Sequence, residues 1–225
     1  TSGEAIALGA MAVAGNYGAH MLAVTSSHFG SAEKEFRFPL GYANQRPLSA
    51  HWTVTGSGAF IIGTRRSHIR ITGVTVGKIV DYGWKDSQNM GACMAPAAAD
   101  TILQNFADFA YTEQDYDRII TGDLGYIGQT ILLDLLQKQG RHMKHQHMDC
   151  GVEIFDQKTQ DTHAGGSGCG CAAVTLASFI LPKIETGEWK KILFVPTGAL
   201  MSTVSYNEGK SIPGIAHGII LEHES

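Results

Sequence analysis

One pattern runs through this sequence twice. A helical stretch of small residues begins at a glycine, Gly3 in the first copy and Gly170 in the second, and ends near a glycine turn at Gly15 or Gly187. A buried strand reaching a threonine follows, Ala23-Val24-Thr25 in one copy and Val195-Pro196-Thr197 in the other. A loop then leads to a glycine-bearing strand that ends in isoleucines, Gly56 to Ile62 and Gly214 to Ile220. A repeated βα arrangement predicts a layered α/β protein with two pseudo-symmetric halves. The chain opens at Thr1 and runs at once into a helical pattern, so the first copy is expected to have lost its beginning. The halves divide near residue 66: 1–66 is the remainder of the first and 67–225 the second.

Between the two copies the periodicities alternate. Ile69, Ile71, Val74 and Val76 alternate as a strand does. Ala98, Ile102, Phe106 and Phe109 recur at helical spacing. Arg118 to Thr121 reads as a strand running into Gly122-Asp123, and a helix with Ile131, Leu132, Leu135 and Leu136 stops at Gly140. Gly151 to Phe155 reads as a short strand, and the helix from Gly170 to Leu181 is expected to end near Pro182.

Composition removes several classes of function. With 17 Lys+Arg against 21 Asp+Glu the formal charge is -4, and no basic stripe points to nucleic acid. The four cysteines, Cys93, Cys150, Cys169 and Cys171, form no CxxC pair and no disulfide framework, so neither structural zinc nor an oxidising compartment is expected. No apolar run is long enough to span a membrane.

The sharpest local motif is His163-Ala164-Gly165-Gly166-Ser167-Gly168-Cys169-Gly170, set directly before a helix. A glycine turn at a helix N-terminus presents N–H groups and the positive end of the helix dipole to a carboxylate, a phosphate or a developing oxyanion. The same turn also suits plain close packing of helix on strand, with His163 as a cap. Asp123, at a strand end, either faces a pocket or caps the next helix. Arg37 and Arg46 are the basic residues suited to bidentate carboxylate pairing, or else to surface and dimer-interface salt bridges. His142, His145 and His147 read as a solvated loop rather than a metal site, and Cys169 and Cys171 as small buried packing residues.

His163 to Gly168 resembles the His-Pro-x-Gly-x-Ser-Gly turn of the thiolase superfamily, with Ala164 in place of proline. Thr1 to Ala5 resembles the stretch just after that superfamily's nucleophilic cysteine. Longer strings narrow the likeness. Ala23 to Phe29, Phe36 to Leu40, Asn44 to Pro47, Trp52 to Gly56, Thr121 to Tyr126, His163 to Cys171, Thr197 to Ser202 and Ile212 to His217 are similar to the stage V sporulation protein AD family, over essentially the whole chain. The resemblance implies a thiolase-like layered αβαβα fold and a homodimer. It implies a protein of the forespore or spore inner membrane, cytoplasmic or peripheral, working with membrane proteins of the same sporulation operon.

The second thiolase cysteine falls in Pro196 to Leu200, which has none, and the thiolase Asn-Glu-Ala-Phe stretch is replaced around Gly122 to Gly125. A lost acid/base favours a pocket kept for binding. The resemblance therefore implies a non-catalytic binder of dipicolinate (pyridine-2,6-dicarboxylate), alone or with calcium, with no cofactor and no resident metal expected. His163, Gly165, Gly166, Ser167, Asp123, Thr197, Arg37 and Arg46 are its candidate ligand contacts. The alternative is an acyl-transferring condensing enzyme acting on a coenzyme A or carrier-protein thioester. A ligand-free scaffold is a third reading.

Overall fold

The computed structural model describes residues 1–32 and 47–225. The first copy of the repeat is helix α1 (Ser2–Ala14), strand β1 (His20–Ser27), one turn of helix α2 (Phe29–Ala32), a short strand β2 (Trp52–Thr53) and strand β3 (Gly56–Gly63). β1 and β3 pair antiparallel without a break, from His20 opposite Gly63 to Ser27 opposite Gly56. The intervening elements are β4 (Ile69–Thr75), the long helix α3 (Met90–Phe109), β5 (Arg118–Thr121), α4 (Gly125–Lys138), β6 (His147–Asp149) and α5 (Cys150–Glu153). The second copy is β7 (Gly166–Ser167), α6 (Cys169–Thr175), α7 (Leu181–Glu185), β8 (Lys191–Val195), β9 (Thr197–Ala199), α8 (Thr203–Asn207), β10 (Gly214–Ala216) and β11 (Gly218–His223).

Five strands form one sheet in the order β4-β11-β8-β5-β6. β11 is antiparallel to β4 and β8, whereas β8, β5 and β6 run parallel. The β8/β11 pair thus repeats the antiparallel β1/β3 pair, and the predicted internal duplication is visible in strand pairing. Helices α3 and α4 cover one face of the sheet, where Ile102, Phe106, Leu132 and Leu136 meet Leu193, Val195 and Ile220. The other face packs Phe194, Ile192 and Ile219 against Cys171, Leu176 and Ile180 of the second-copy helix and Ile6 of α1. Ala23, Phe60 and Ile62 of the β1/β3 pair close that core from the opposite side. Helices α1 and α6 therefore lie between two sheets, the layered arrangement expected.

Close backbone approach explains the glycines at this junction. A Cβ on Gly58 would lie 2.8 Å from the Ala173 methyl, and one on Gly170 would collide with the Gly56 carbonyl oxygen. Both glycine-bearing strands are also interrupted. The first splits after Thr53, so that β2 pairs with β7 while β3 pairs with β1; the second splits at His217, so that β10 pairs with β9 and β11 with β8. Each break lets one stretch of chain serve two sheets.

Three local readings need correction. The Ala23-Val24-Thr25 strand is not buried throughout: Val24 is 53% exposed, like Leu22 before it at 66%, and Ala23 and Thr25 are the buried residues of β1. Gly151 to Phe155 opens as helix, because Asp149 caps it by accepting the N–H groups of Gly151 and Val152. The helix of the second copy does not stop near Pro182. A π-helical turn at Leu176–Ile180 shifts the ladder, and Pro182 falls in the first turn of α7, where a missing N–H costs least.

Candidate functional site

The N-termini of α1 and α6 meet. Thr1 Oγ1 lies 3.1 Å from the Cys169 sulfur, and Gly3 packs against the Pro196 ring so closely that a Cβ there would stand 3.2 Å from it. The strand ends of β5 and β8 arrive at the same place, because parallel neighbours in one sheet finish side by side. Asp123 follows β5 and ties the arrivals together. Its Oδ2 accepts the Gly168 N–H at 2.9 Å, and its Oδ1 accepts the Thr197 hydroxyl at 2.8 Å. The Asp123 N–H in turn donates to Thr197 Oγ1 at 3.2 Å. Asp123 thus faces the start of α6 and the β8–β9 junction.

The N–H groups of the glycine turn are largely used within the fold. Gly165 donates to the Thr162 carbonyl, Gly168 to Asp123, Gly170 to Ser27 Oγ at 2.9 Å, and Cys171 to the Gly168 carbonyl. Gly166 and Ser167 form β7 and pair with Trp52 and Thr53, and Ser167 is buried. Gly165 and Gly168 adopt φ of +114° and +105°, so the turn needs glycine for conformation as well as for space. His163 also has positive φ, at +50°. Its Nδ1 lies 2.9 Å from the Pro47 carbonyl oxygen and its Nε2 3.1 Å from Asp161 Oδ1. Arg37 and Arg46 lie outside the described residues.

Two residues absent from the predicted site belong beside it. His217 occupies the break between β10 and β11, where its Nδ1 accepts the Gly77 N–H at 3.2 Å. Burial lowers its pKa, against the opposing field of Glu4 in the first turn of α1. Asp149 lies beneath the Asp123 turn, fully buried, and burial pushes its carboxyl up to about 6 in spite of the hydrogen bonds it accepts. His147, the third histidine of the supposed solvated loop, is instead buried in β6, and burial pushes its pKa down to about 4. His142 and His145 are exposed as expected, and among the described residues no three His, Cys, Asp or Glu gather to hold a metal.

The thiols separate into two groups. Burial pushes Cys93 up to about 12, and burial with the adjacent Asp149 carboxylate raises Cys150 as well. Cys171 is buried, as predicted for a packing residue, whereas Cys169 is exposed at the head of α6.

The sequence model of the family described as Stage V sporulation protein AD matches residues 1–222. Stage V sporulation protein AD of Bacillus subtilis strain 168 is 44% identical over 222 residues, which cover 99% of this chain and 65% of that protein. The chain thus spans about 65% of the length of the curated relative it matches. Among solved structures, a tetronic acid condensing enzyme superposes with a TM-score of 0.61 at 14% identity, over 98% of this chain and 65% of that one. The 3-oxoacyl-(acyl carrier protein) synthase III of Pseudomonas aeruginosa superposes with a TM-score of 0.57 at 10% identity, over 99% of this chain and 64% of that one. The structural likenesses show a shared fold.

Proposed function

The chain belongs to the stage V sporulation protein AD family, and from that premise we propose that it is part of a non-catalytic binder of dipicolinate that serves uptake of this dicarboxylate during sporulation. The observation that carries the reading is the state of the polar groups at the helix junction. Thr197, in the segment corresponding to the one that bears the second thiolase cysteine, is committed to Asp123. The amides at the head of α6 are committed to Asp123 and Ser27. Groups spent on one another in this way build a fixed wall; none is held ready to exchange a proton with a thioester.

Asp123 places a negative charge at the same junction. A dicarboxylate gains by arriving with a divalent cation, and the reading therefore takes calcium as its companion. The reading extends to a homodimer held at the forespore or spore inner membrane by membrane proteins of the same operon. No described helix is long and apolar enough to cross a membrane.

Calorimetric titration of dipicolinate into the full-length protein, with and without calcium, tests this. Saturable binding that calcium strengthens is expected, with the gain from calcium reduced in Asp123→Asn and retained in His163→Ala. Turnover of an acyl thioester by the folded protein, without dipicolinate binding, would favour the condensing-enzyme alternative.

A further inference from the structure

The turn that carries Asp123 is gripped by Asp149, and the His51 ring nitrogen Nε2 lies 3.0 Å from its Leu124 carbonyl oxygen. Asp149 Oδ2 accepts the Leu124 N–H at 2.9 Å and the Thr121 hydroxyl at 2.6 Å. Its Oδ1 accepts the N–H groups of Gly125 and Gly151, both at 3.0 Å, and of Val152 at 3.3 Å. Thr121 and Leu124 bracket Asp123, so the carboxylate grips the turn on both sides of it. Gly125 completes the turn with φ +63°, where a Cβ would collide with the Ala164 carbonyl oxygen. The turn therefore has little freedom to take another shape while Asp149 is in place.

A directional chain of hydrogen bonds supplies this grip. The Thr121 hydroxyl has one proton and gives it to Asp149. The contact between Thr121 Oγ1 and His147 Nε2, 3.0 Å, must then run from Nε2–H to the hydroxyl oxygen. His147 Nδ1 is left to accept from the Gln129 side-chain amide at 3.1 Å. The Met148 carbonyl oxygen is a longer second acceptor for the Thr121 hydroxyl, at 3.4 Å, and the short contact to Asp149 sets the order that fixes the histidine tautomer.

We infer that Asp149 is the positioning residue of the ligand site: it sets the 121–125 turn, and through Asp123 it sets Gly168 and Thr197. Its functional readout rests on the dipicolinate reading above. Asp149→Asn keeps the size of the side chain but turns an amide toward Leu124 N–H, leaving that buried donor without its acceptor.

The test is a double-mutant cycle in the full-length protein, with Asp149→Asn, Asp123→Asn and the pair, titrated with dipicolinate and calcium. Asp149→Asn is expected to weaken binding about tenfold, equivalent to about 1.4 kcal/mol. In the Asp123→Asn background it should add little, because its effect passes through Asp123. Losses that simply add would overturn the inference. Hydrogen exchange of the segment from Gly165 to Cys169 decides the question without the ligand. Faster exchange at Gly168 in both single variants is expected, and retained protection in folded Asp149→Asn would overturn the inference. If the unaltered protein binds no dipicolinate, the functional reading fails while the exchange result still judges the positioning role. Should Asp149→Asn not fold, Thr121→Val removes one arm of the grip. It should speed Gly168 exchange to a smaller degree, and unchanged exchange there would count against the inference.

Discussion

Asp149 and His147 are buried within one hydrogen-bonded chain and titrate in opposite senses. The Asp149 carboxyl is raised from 3.8 to about 6, so the stability it contributes is full below pH 3.8 and is lost as pH rises to 6. His147 is lowered from 6.5 to about 4, so its contribution is full above pH 6.5 and is lost as pH falls through 4. Between pH 4 and 6 the two slopes oppose each other, and together they leave stability nearly flat. Removing one partner should expose the other. The unfolding free energy of Asp149→Asn, from urea titration, should fall as pH drops from 6.5 to 4, and that of His147→Gln should fall as pH rises from 4 to 6, each by on the order of 3 kcal/mol. Parallel pH profiles in all three proteins would contradict this. Thr25 supplies a simpler case. It is 5% exposed, and its hydroxyl finds no hydrogen-bond partner among the described residues. Thr25→Val should therefore stabilise the protein by about 1 kcal/mol in the same denaturation assay. At this scale the sequence was only partly legible. Asp123 and Thr197 each lie just beyond a strand, β5 or β8, next to a glycine, and that position singles them out. Asp149 and His217 have no such signal, since a cap and a strand break become visible only when their distant partners, Gly125 and Gly77, are in place.

The elements show why some boundaries could be read and others could not. Hydrophobic spacing locates α3 and α4 well because each lays one long apolar stripe on the sheet. The β-branched and aromatic residues Val152, Ile154 and Phe155 look like a strand, yet the cap at Asp149 starts a helix and overrides them. The π-turn at Leu176–Ile180 has no sequence signature at all, and it is what allows Pro182 inside a continuous helical run. Pro182→Ala should accordingly change stability by less than about 1 kcal/mol, against roughly 3 kcal/mol for a proline in a regular helix interior. Gly170→Ala should behave in the opposite way. The added methyl must displace Gly56 backbone and the Ser27 hydroxyl, and a loss of about 1–3 kcal/mol is expected in urea unfolding.

For the molecule as a whole the duplication was the most legible feature, because its signals are local: a helix, a turn and a strand, each repeated in the same order. The layering follows from it, since two amphipathic sheets with small-residue helices between them have few other ways to bury their inner faces. The one-sided exposure of β1 and β3 was not legible, because a run such as Met21 to Thr25 does not say which of its faces meets a core. The distribution of thiols is a whole-molecule property as well. In the folded protein a thiol reagent should modify Cys169 rapidly and Cys93, Cys150 and Cys171 only on unfolding, as read by mass spectrometry of the labelled peptides.

The glycine contacts between the two copies have a mechanical consequence. Where Gly56 and Gly58 meet Gly170, Ala173 and Val174, main chain meets main chain, a methyl or a short side chain, with no long flexible side chain between. A joint of that kind has few rotamers to rearrange, so it behaves as a weld rather than a hinge. Opening and closing of a pocket on this frame must then come from the peripheral loops, with the two copies of the repeat moving as one rigid body.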